Sequence, residues 1–531
     1  MRGSYAALWQ LVAQAVPDRT AIVAGQQRLS YRAFEDHAAR FASLLRQQGI
    51  AAGDTIAFYM YNRAEYLTAF YGALKIGAVP VSINFRYRAG EVAALLDNCE
   101  AAAVLYPASL ADTVRDIRPE SLPGVLIEID DNHPGLTQAI AYDSLTDFEP
   151  LDATEAPTTD GTLMVYTGGT TGLPKAVVWD EPDLLEIQMF STYGALGLEN
   201  PNTPAEVVAI AQDPSLEPTV MFALAPFIHA TALFTAMNTF LLGGTVVMLP
   251  SPSLDTRIAV ETIEQEKVTR IIVAGDAVAI PLMDAWDKYA TSPQSSSLTS
   301  AMSSGMRFSD ETKARIHGLG QVTIIDILAS TEGGPYAMGI TRSAADLPTR
   351  FQLTPDAVVL DDALNEVQDQ PGAYGILGYR GALPRGYYKD EKKTQETYPV
   401  LNGTRYVMPG DHVKVEADRY IELLGRGSSV VNTGGEKVFP AEVEEVLLAH
   451  PAVQDAVVFG VADERWGERV VAMIAVDNID EVSADDILDF VGQRLAGYKK
   501  PRQIILRDSL DRGPTGKLDM RTIKSSVAAA S

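Results

Sequence analysis

From Ser30 the apolar residues Tyr31, Phe34, Ala38, Phe41 and Leu45 recur at helical spacing until Gly49 stops the pattern. A strand-like run from Thr55 to Met60 comes next, then a helix from about Ala64 to Ile76 and a second strand from Val79 to Ile83. Together they predict a strand, helix, strand crossover. Similar runs return at Ala102 to Tyr106, Val220 to Ala225, Thr245 to Leu249, Ile271 to Ala274 and Val322 to Ile327, so layered, mostly parallel α/β architecture is expected. After about Gly425 the chain restarts on a smaller scale. A helix at Pro440 to Ala449, strands at Ala456 to Val461 and Val470 to Val476, and a helix capped by Ser483 predict a small α+β domain. The predicted fold class is therefore α/β, with a large N-terminal domain over 1–427 and a small C-terminal domain over 428–531. The Ser and Pro cluster from Ser292 to Ser300 reads as a loop.

Thr219 to Pro250 could be taken for something else, because it contains no Asp, Glu, Lys or Arg and exceeds the roughly 20 residues that a membrane helix needs. Pro226, His229, Gly243 and Gly244 cut it into an alternating piece around Val220, Phe222 and Leu224, an apolar helix, and a strand at Thr245 to Leu249. The stretch is thus expected to be buried sheet and helix, with no transmembrane segment. Met1 to Thr20 lacks the apolar run of a secretory signal.

Composition narrows the function classes. At 531 residues, two or more domains are the default. With 43 Lys and Arg against 69 Asp and Glu, a net charge of -26 repels a phosphate backbone, so nucleic acid is not an expected partner. Cys99 is the single cysteine, which excludes an intrachain disulfide, suits a reducing cytoplasm and is expected to be a small buried residue. Of the six histidines, the five other than His229 show no metal-ligand spacing. Oligomeric state is left open.

The chemistry starts at a loop. Strand-like Leu163 to Tyr166 runs into Thr167, Gly168, Gly169, Thr170, Thr171, Gly172, Leu173, Pro174 and Lys175. Glycines let backbone amides close around an anion, hydroxyls add donors and a lysine adds a point charge, which are the parts of a phosphate cradle. It is not a Walker loop, because Pro174 precedes Lys175 and Ala176 comes after it.

This loop resembles the signature of the adenylate-forming superfamily: acyl-CoA synthetases, luciferase-like enzymes and peptide-synthetase adenylation domains. Further motifs occur in the family's order. Asp326, Ile327, Leu328, Ala329, Ser330, Thr331 and Glu332 resemble the segment that flanks adenine and ends in a magnesium-associated glutamate. Pro409, Gly410 and Asp411 resemble the turn that holds the ribose hydroxyls. Gly425 and Arg426 open a hinge segment, Thr433 to Lys437 continue it, and Gly513 to Lys517 resemble the terminal lysine motif. The Thr-Gly-Gly-Thr-Thr-Gly loop, Gly275 with Asp276, and Gly386 to Thr394 are similar to actinobacterial ligases for steroid side-chain and long-chain acids.

The resemblance implies an ATP-dependent carboxylate-CoA ligase acting through an acyl-adenylate on a bulky apolar acid, with ATP, Mg2+ and coenzyme A. It implies Lys517, Glu332, Thr331 and Lys175 as catalytic residues, with Glu332 also the metal ligand. Nucleotide and coenzyme contacts would come from Thr167, Gly168, Gly169, Thr170, Thr171, Gly172, Ser304, Gly305, Asp326, Ile327, Leu328, Asp411, Arg426 and Gly434. The acid would meet His229, Ala274, Gly275 and Leu328. For His229 a buried histidine satisfied by backbone is an equal reading. The C-terminal domain would be a mobile lid turning at Ser428.

Some positions depart from the family pattern. Ala176 stands where Gly is usual, Leu328 and Ala329 where Tyr-Gly is usual, and Ser428 and Ser429 where the hinge is normally Asp or Lys and then often Asp. Two alternatives stay open: loading of the acyl group onto a carrier protein, and nucleotide binding without catalysis.

Overall fold

The computed structural model describes residues 3–152, 161–167, 174–291, 296–426, 431–433, 436–438, 440–463, 467–495, 497–512, 518, 520, 523–524 and 527. They form two compact units, Met1–Thr349 with Arg380–Val407, and Arg350–Tyr379 with Met408–Ser531.

The larger unit holds two sheets that are parallel over most of their width, with antiparallel pairing at both ends of the first and at one end of the second. In one, the strands run Gln27–Ser30, Thr20–Ala24, Thr245–Met248, Val220–Ala223, Arg270–Val273, Ser300–Ser304, Thr323–Ser330, Gly333–Thr341. The six between the outer two are mutually parallel. In the other, the order is Gly386–Tyr387, Lys175–Asp180, Thr162–Thr167, Val79–Ile83, Thr55–Tyr59, Ala101–Pro107, Val125–Ile129, Ile140–Ala141. The predicted crossover is present: Thr55 pairs with Val79 in parallel after helix Ala64–Lys75, and both strands are buried throughout, as covered parallel strands must be. Ser30 caps helix Tyr31–Gln47 by accepting from Ala33 N at 3.2 Å, and Tyr31, Phe34, Ala38, Phe41 and Leu45 form its buried face.

Residues 219–250 resolve into strand Val220–Ala223, helix Ala230–Leu241 and strand Thr245–Met248. No helix among the described residues is long and apolar enough to cross a membrane. Several strands start or end a few residues away from the pattern, as Val220–Ala223, Asp455–Asp463 and Gly467–Ala475 do, and two of the differences have a clear cause. Arg270–Val273 begins one residue early, on a buried arginine whose polarity hides it from a hydropathy reading. Thr323–Ser330 runs three residues beyond Ile327 because it hairpins onto Gly333–Thr341.

In the smaller unit, Phe351–Leu353, Tyr420–Arg426, Asp411–Val415 and Tyr374–Arg380 make one antiparallel run. Strands Glu436–Val438, Val431–Thr433, Gly467–Ala475 and Asp455–Asp463 make another, and Gln503–Arg507 adds in parallel beside Gly467–Ala475. Helices Pro440–Leu448 and Ala484–Gly492 cover it, the second capped as expected by Ser483, which accepts from Asp486 N. Strand Tyr420–Arg426 packs against helix Pro440–Leu448, which is why compactness groups residues on both sides of 427. The expected 427/428 boundary and the hinge at Ser428 and Ser429 lie outside the described residues.

Cys99 is fully buried, and burial pushes its thiol up to about 12. A second buried group ties the N-terminus to the strand after the glycine-rich loop. Glu181 begins helix Glu181–Tyr193 directly beyond Lys175–Asp180, and its Oε2 accepts from Tyr5 N at 2.7 Å and Ser4 Oγ at 3.0 Å, capping helix Tyr5–Ala15. Oε1 has no hydrogen-bond partner among the described residues, and burial pushes this carboxyl up to about 7 from an ordinary 4.5. An acid whose pKa is raised in the fold contributes stability that is complete below its unfolded pKa and lost as pH rises through the folded one. Glu181→Gln should therefore raise stability at pH 8, by on the order of 2 kcal/mol, with the gain fading towards pH 5. Thermal denaturation at the two pH values checks this; an equal loss at both contradicts it.

Candidate active site

Strands Thr162–Thr167 and Lys175–Asp180 are antiparallel, and Thr167 opposite Lys175 is the last pair before the loop. Gly168, Gly169, Thr170, Thr171 and Gly172 lie outside the described residues. The loop therefore joins two strands of a hairpin and does not lead into a helix N-terminus. The formal positive charge at this end of the hairpin is that of Lys175. Tyr166 anchors the hairpin by donating to Asn98 Oδ1 at 2.8 Å and to Leu95 O at 3.2 Å.

Lys175 is paired with the Asp390 carboxylate, 215 residues away, and its Nζ lies 5.8 Å from the Tyr387 ring centroid. The segment carrying both partners is built against the loop's own strand: Gly386 pairs with Val178 and Tyr387 with Val177. Gly386 has φ 133°, and a Cβ there would meet Thr394 Cγ2 at 2.3 Å, so this turn needs glycine. Thr394 Oγ1 accepts from Tyr387 N at 2.9 Å, and Asp390 Oδ1 caps helix Glu391–Thr397 by accepting from Lys393 N at 2.9 Å.

Glu332 is brought to the same place. Thr331 and Glu332 form the turn between Thr323–Ser330 and Gly333–Thr341, and three side chains dock that turn onto the other sheet. Tyr387 OH donates to Glu332 Oε1 at 2.8 Å, Tyr398 OH to Glu332 O at 3.0 Å, and Trp179 Nε1 to Thr331 O at 3.0 Å. Lys175 and Glu332, expected from motifs far apart, thus share Tyr387 as a neighbour. Among the described residues no group of three His, Cys, Asp or Glu could hold a metal ion. Glu332 offers one oriented carboxylate, which fits a magnesium bound mainly by phosphate oxygens and not a protein-caged metal.

A second group gathers where neighbouring parallel strands end at their carboxyl edges, the usual ligand side of such sheets. Ala274 and Gly275 come directly after Arg270–Val273, Ser304 ends Ser300–Ser304 with Gly305 next, and Ile327 pairs with Ser304. Gly275 N donates to Ser303 Oγ at 3.0 Å, and with φ 53° and Arg307 O 2.1 Å from a notional Cβ, Gly275 admits no side chain. Leu328 is half-buried beside them. Asp326 is engaged elsewhere: its Oδ2 accepts from buried Lys313 Nζ at 2.7 Å, which also donates to Thr349 Oγ1 at 2.9 Å. Asp326 can offer a nucleotide its backbone, while its carboxylate holds helix Asp310–His317 to the sheet. His229, at the N-cap of helix Ala230–Leu241, is exposed, which removes the reading of it as a buried core histidine.

In the smaller unit Asp411 stands opposite Arg426 on paired strands, with Gly410 at φ 93° and Gly425 at φ 105° flanking the pair. Gly434 and Lys517 lie outside the described residues. Motif reading did not identify Tyr387, Asp390, Tyr398, Trp179 or Lys313 as site residues. Only the first two carried a signal, inside the Gly386 to Thr394 run.

A family model described as AMP-binding enzyme matches residues 9–388, and one described as AMP-binding enzyme C-terminal domain matches 442–517. The chain belongs to the AMP-binding enzyme family. Among its relatives is the Medium/long-chain-fatty-acid--CoA/3-oxocholest-4-en-26-oate--CoA ligase of Mycobacterium marinum, 36% identical with 97% of this chain and 95% of that one covered. Another is the 3-oxocholest-4-en-26-oate--CoA ligase of Rhodococcus rhodochrous, 34% identical over 96% and 93%. A solved Mycobacterium tuberculosis fatty acyl CoA synthetase shares the fold at TM-score 0.72 and 24% identity, covering 99% of each chain. As a family member the chain is an AMP-forming acid-thiol ligase by class, and ATP and coenzyme A are the cosubstrates of such ligases.

Tyr387 orients the Glu332 carboxylate, while Tyr398 and Trp179 hold the turn through its two carbonyls when the Tyr387 hydroxyl is lost. Tyr387→Phe removes one hydrogen bond to a charged group, so kcat/KM should fall about tenfold while Tm moves by less than about 2 °C. Parallel steady-state kinetics and thermal denaturation check this, and an unchanged kcat/KM contradicts it.

Proposed function

We propose that the protein joins a bulky apolar carboxylic acid, fatty or steroid-like, to coenzyme A. The observation that carries this reading is the meeting of Lys175 and Glu332 around Tyr387, because the first half-reaction must bring a carboxylate against a triphosphate. Two anions repel, and the protein needs no nucleophile of its own, so catalysis consists of placing positive charge and orienting oxygen atoms. The names of the relatives support a large apolar acid. So does Leu328 where the family commonly has tyrosine, which leaves more room beside Ala274 and Gly275.

In this reading a substrate carboxylate oxygen attacks the α-phosphorus, the bond to the bridging oxygen breaks and pyrophosphate leaves. The coenzyme A thiol then attacks the acyl carbonyl and AMP departs. Lys175 and the amides of Gly168 to Gly172 hold the β- and γ-phosphates, Thr331 stands beside them, and Lys517 bridges carboxylate and α-phosphate. Glu332 would hold a magnesium ion, which would supply charge neutralisation when bound with the nucleotide. Ile327, Leu328, Ser304 and Gly305 flank the adenine, Asp411 and Arg426 hold the ribose side, and His229 lines the acid's approach. The site works in the cytoplasm.

Lys517 and Gly434 serve different half-reactions, so we place a lid over 428–531 that turns at Ser428. Lys517→Ala should abolish acyl-AMP formation, measured as acid-dependent pyrophosphate exchange, while sparing thioester formation from synthetic acyl-AMP. Ser428→Pro, with φ fixed near -65°, should do the reverse. Equal loss of both half-reactions in a folded Lys517→Ala protein removes that lysine from its role, and wild-type turnover by Ser428→Pro removes the hinge.

A further inference from the structure

Asp390 stands beside Lys175 on a backbone fixed twice. Strand Gly386–Tyr387 is paired to Lys175–Asp180, with Tyr388 N donating to Ala176 O at 2.8 Å just beyond it. Asp390 Oδ1 is committed to Lys393 N at the start of helix Glu391–Thr397. Its Oδ2 takes the Lys175 ammonium. That contact, with the Lys393 amide, holds the Asp390 carboxyl below the usual carboxylate range, so it is ionised at neutral pH. Two other lysines of the segment have carboxylates of their own: Lys389 pairs with Glu100 at 2.9 Å and Lys393 with Glu396 at 3.2 Å.

The two partners differ in freedom. Asp390 has a short side chain on an anchored turn, whereas Lys175 carries its charge on a flexible four-carbon stem. About a third of each side chain is exposed, 34% and 32%, and an ion pair that wet is weak enough to exchange. An anion that meets Lys175 must displace Asp390 from the ammonium or lie next to an ionised carboxylate. Either way the carboxylate opposes binding and favours departure.

We propose that Asp390 is a positioning residue for product release, a fixed counter-ion that competes with phosphate oxygens for Lys175 and takes the lysine back as pyrophosphate leaves. This rests on the reading of Lys175 as a phosphate ligand. No covalent step is added; one ion pair exchanges for another.

Asp390→Asn and Asp390→Ser both remove the charge and keep an acceptor for the Lys393 amide, since Asn and Ser are good helix caps. Pyrophosphate inhibition constants and the KM for ATP are measured for the wild type, these variants and Lys175→Ala. Both Asp390 variants should lower both constants, by roughly three- to tenfold, and slow pyrophosphate release in a single turnover. Damage to the fold would not tighten binding. Constants that are unchanged or raised in both variants, while Lys175→Ala weakens pyrophosphate, overturn the proposal alone. If Lys175→Ala leaves both constants unchanged, the phosphate role of Lys175 fails and the proposal falls with it.

Discussion

The docking of the Thr331–Glu332 turn against strand Lys175–Asp180 is the constraint on which the site depends. It is made by few groups: Tyr387 and Tyr398 on one side and Trp179 on the other, each donating its polar hydrogen to the turn. Tyr398 and Trp179 are buried, so leaving those donors unpaired would cost more than the bonds gain. This sets Glu332 relative to Lys175, although the two come from different sheets. A chain of net charge -26 has little positive potential overall, and in the proposed reading the lysine and the oriented carboxylate beside Tyr387 are what would meet a polyanion locally.

The rest of the larger unit serves that geometry. The central strands Thr55–Tyr59, Val79–Ile83 and Arg270–Val273 are buried throughout, which fixes their register and the height at which each one ends. Gly275, Ser304 and Ile327 reach the same edge because Arg270–Val273, Ser300–Ser304 and Thr323–Ser330 are consecutive parallel neighbours. The Lys313–Asp326 pair holds helix and sheet together just below that edge, and a buried pair of this kind is costly to break by removing one partner.

Much of this was legible in the chain. Helical and alternating spacing located the first crossover, and the glycines and proline in 219–250 correctly argued for sheet and helix there. The order of the motifs gave the family. The partners of the motif residues were not legible, because contacts such as Lys175 with Asp390 join segments 215 residues apart and leave no local pattern. Asp326 shows the opposite failure, since a residue can sit inside a motif while its side chain is committed to helix Asp310–His317. Strand ends at Arg270 and Ser330 were missed for a simpler reason, that buried polar residues and hairpin partners do not register as hydrophobicity.

The central claim is that one site activates a bulky apolar acid with ATP and passes it to free coenzyme A. The most direct measurement is pyrophosphate release across fatty, steroidal, aromatic and small acids, with thioester quantified and no carrier protein present. The account predicts release that peaks on large apolar acids, with one coenzyme A thioester formed per pyrophosphate. Activity that peaks on acetate, thioester that requires a carrier protein, or ATP binding without pyrophosphate release on any acid would contradict it.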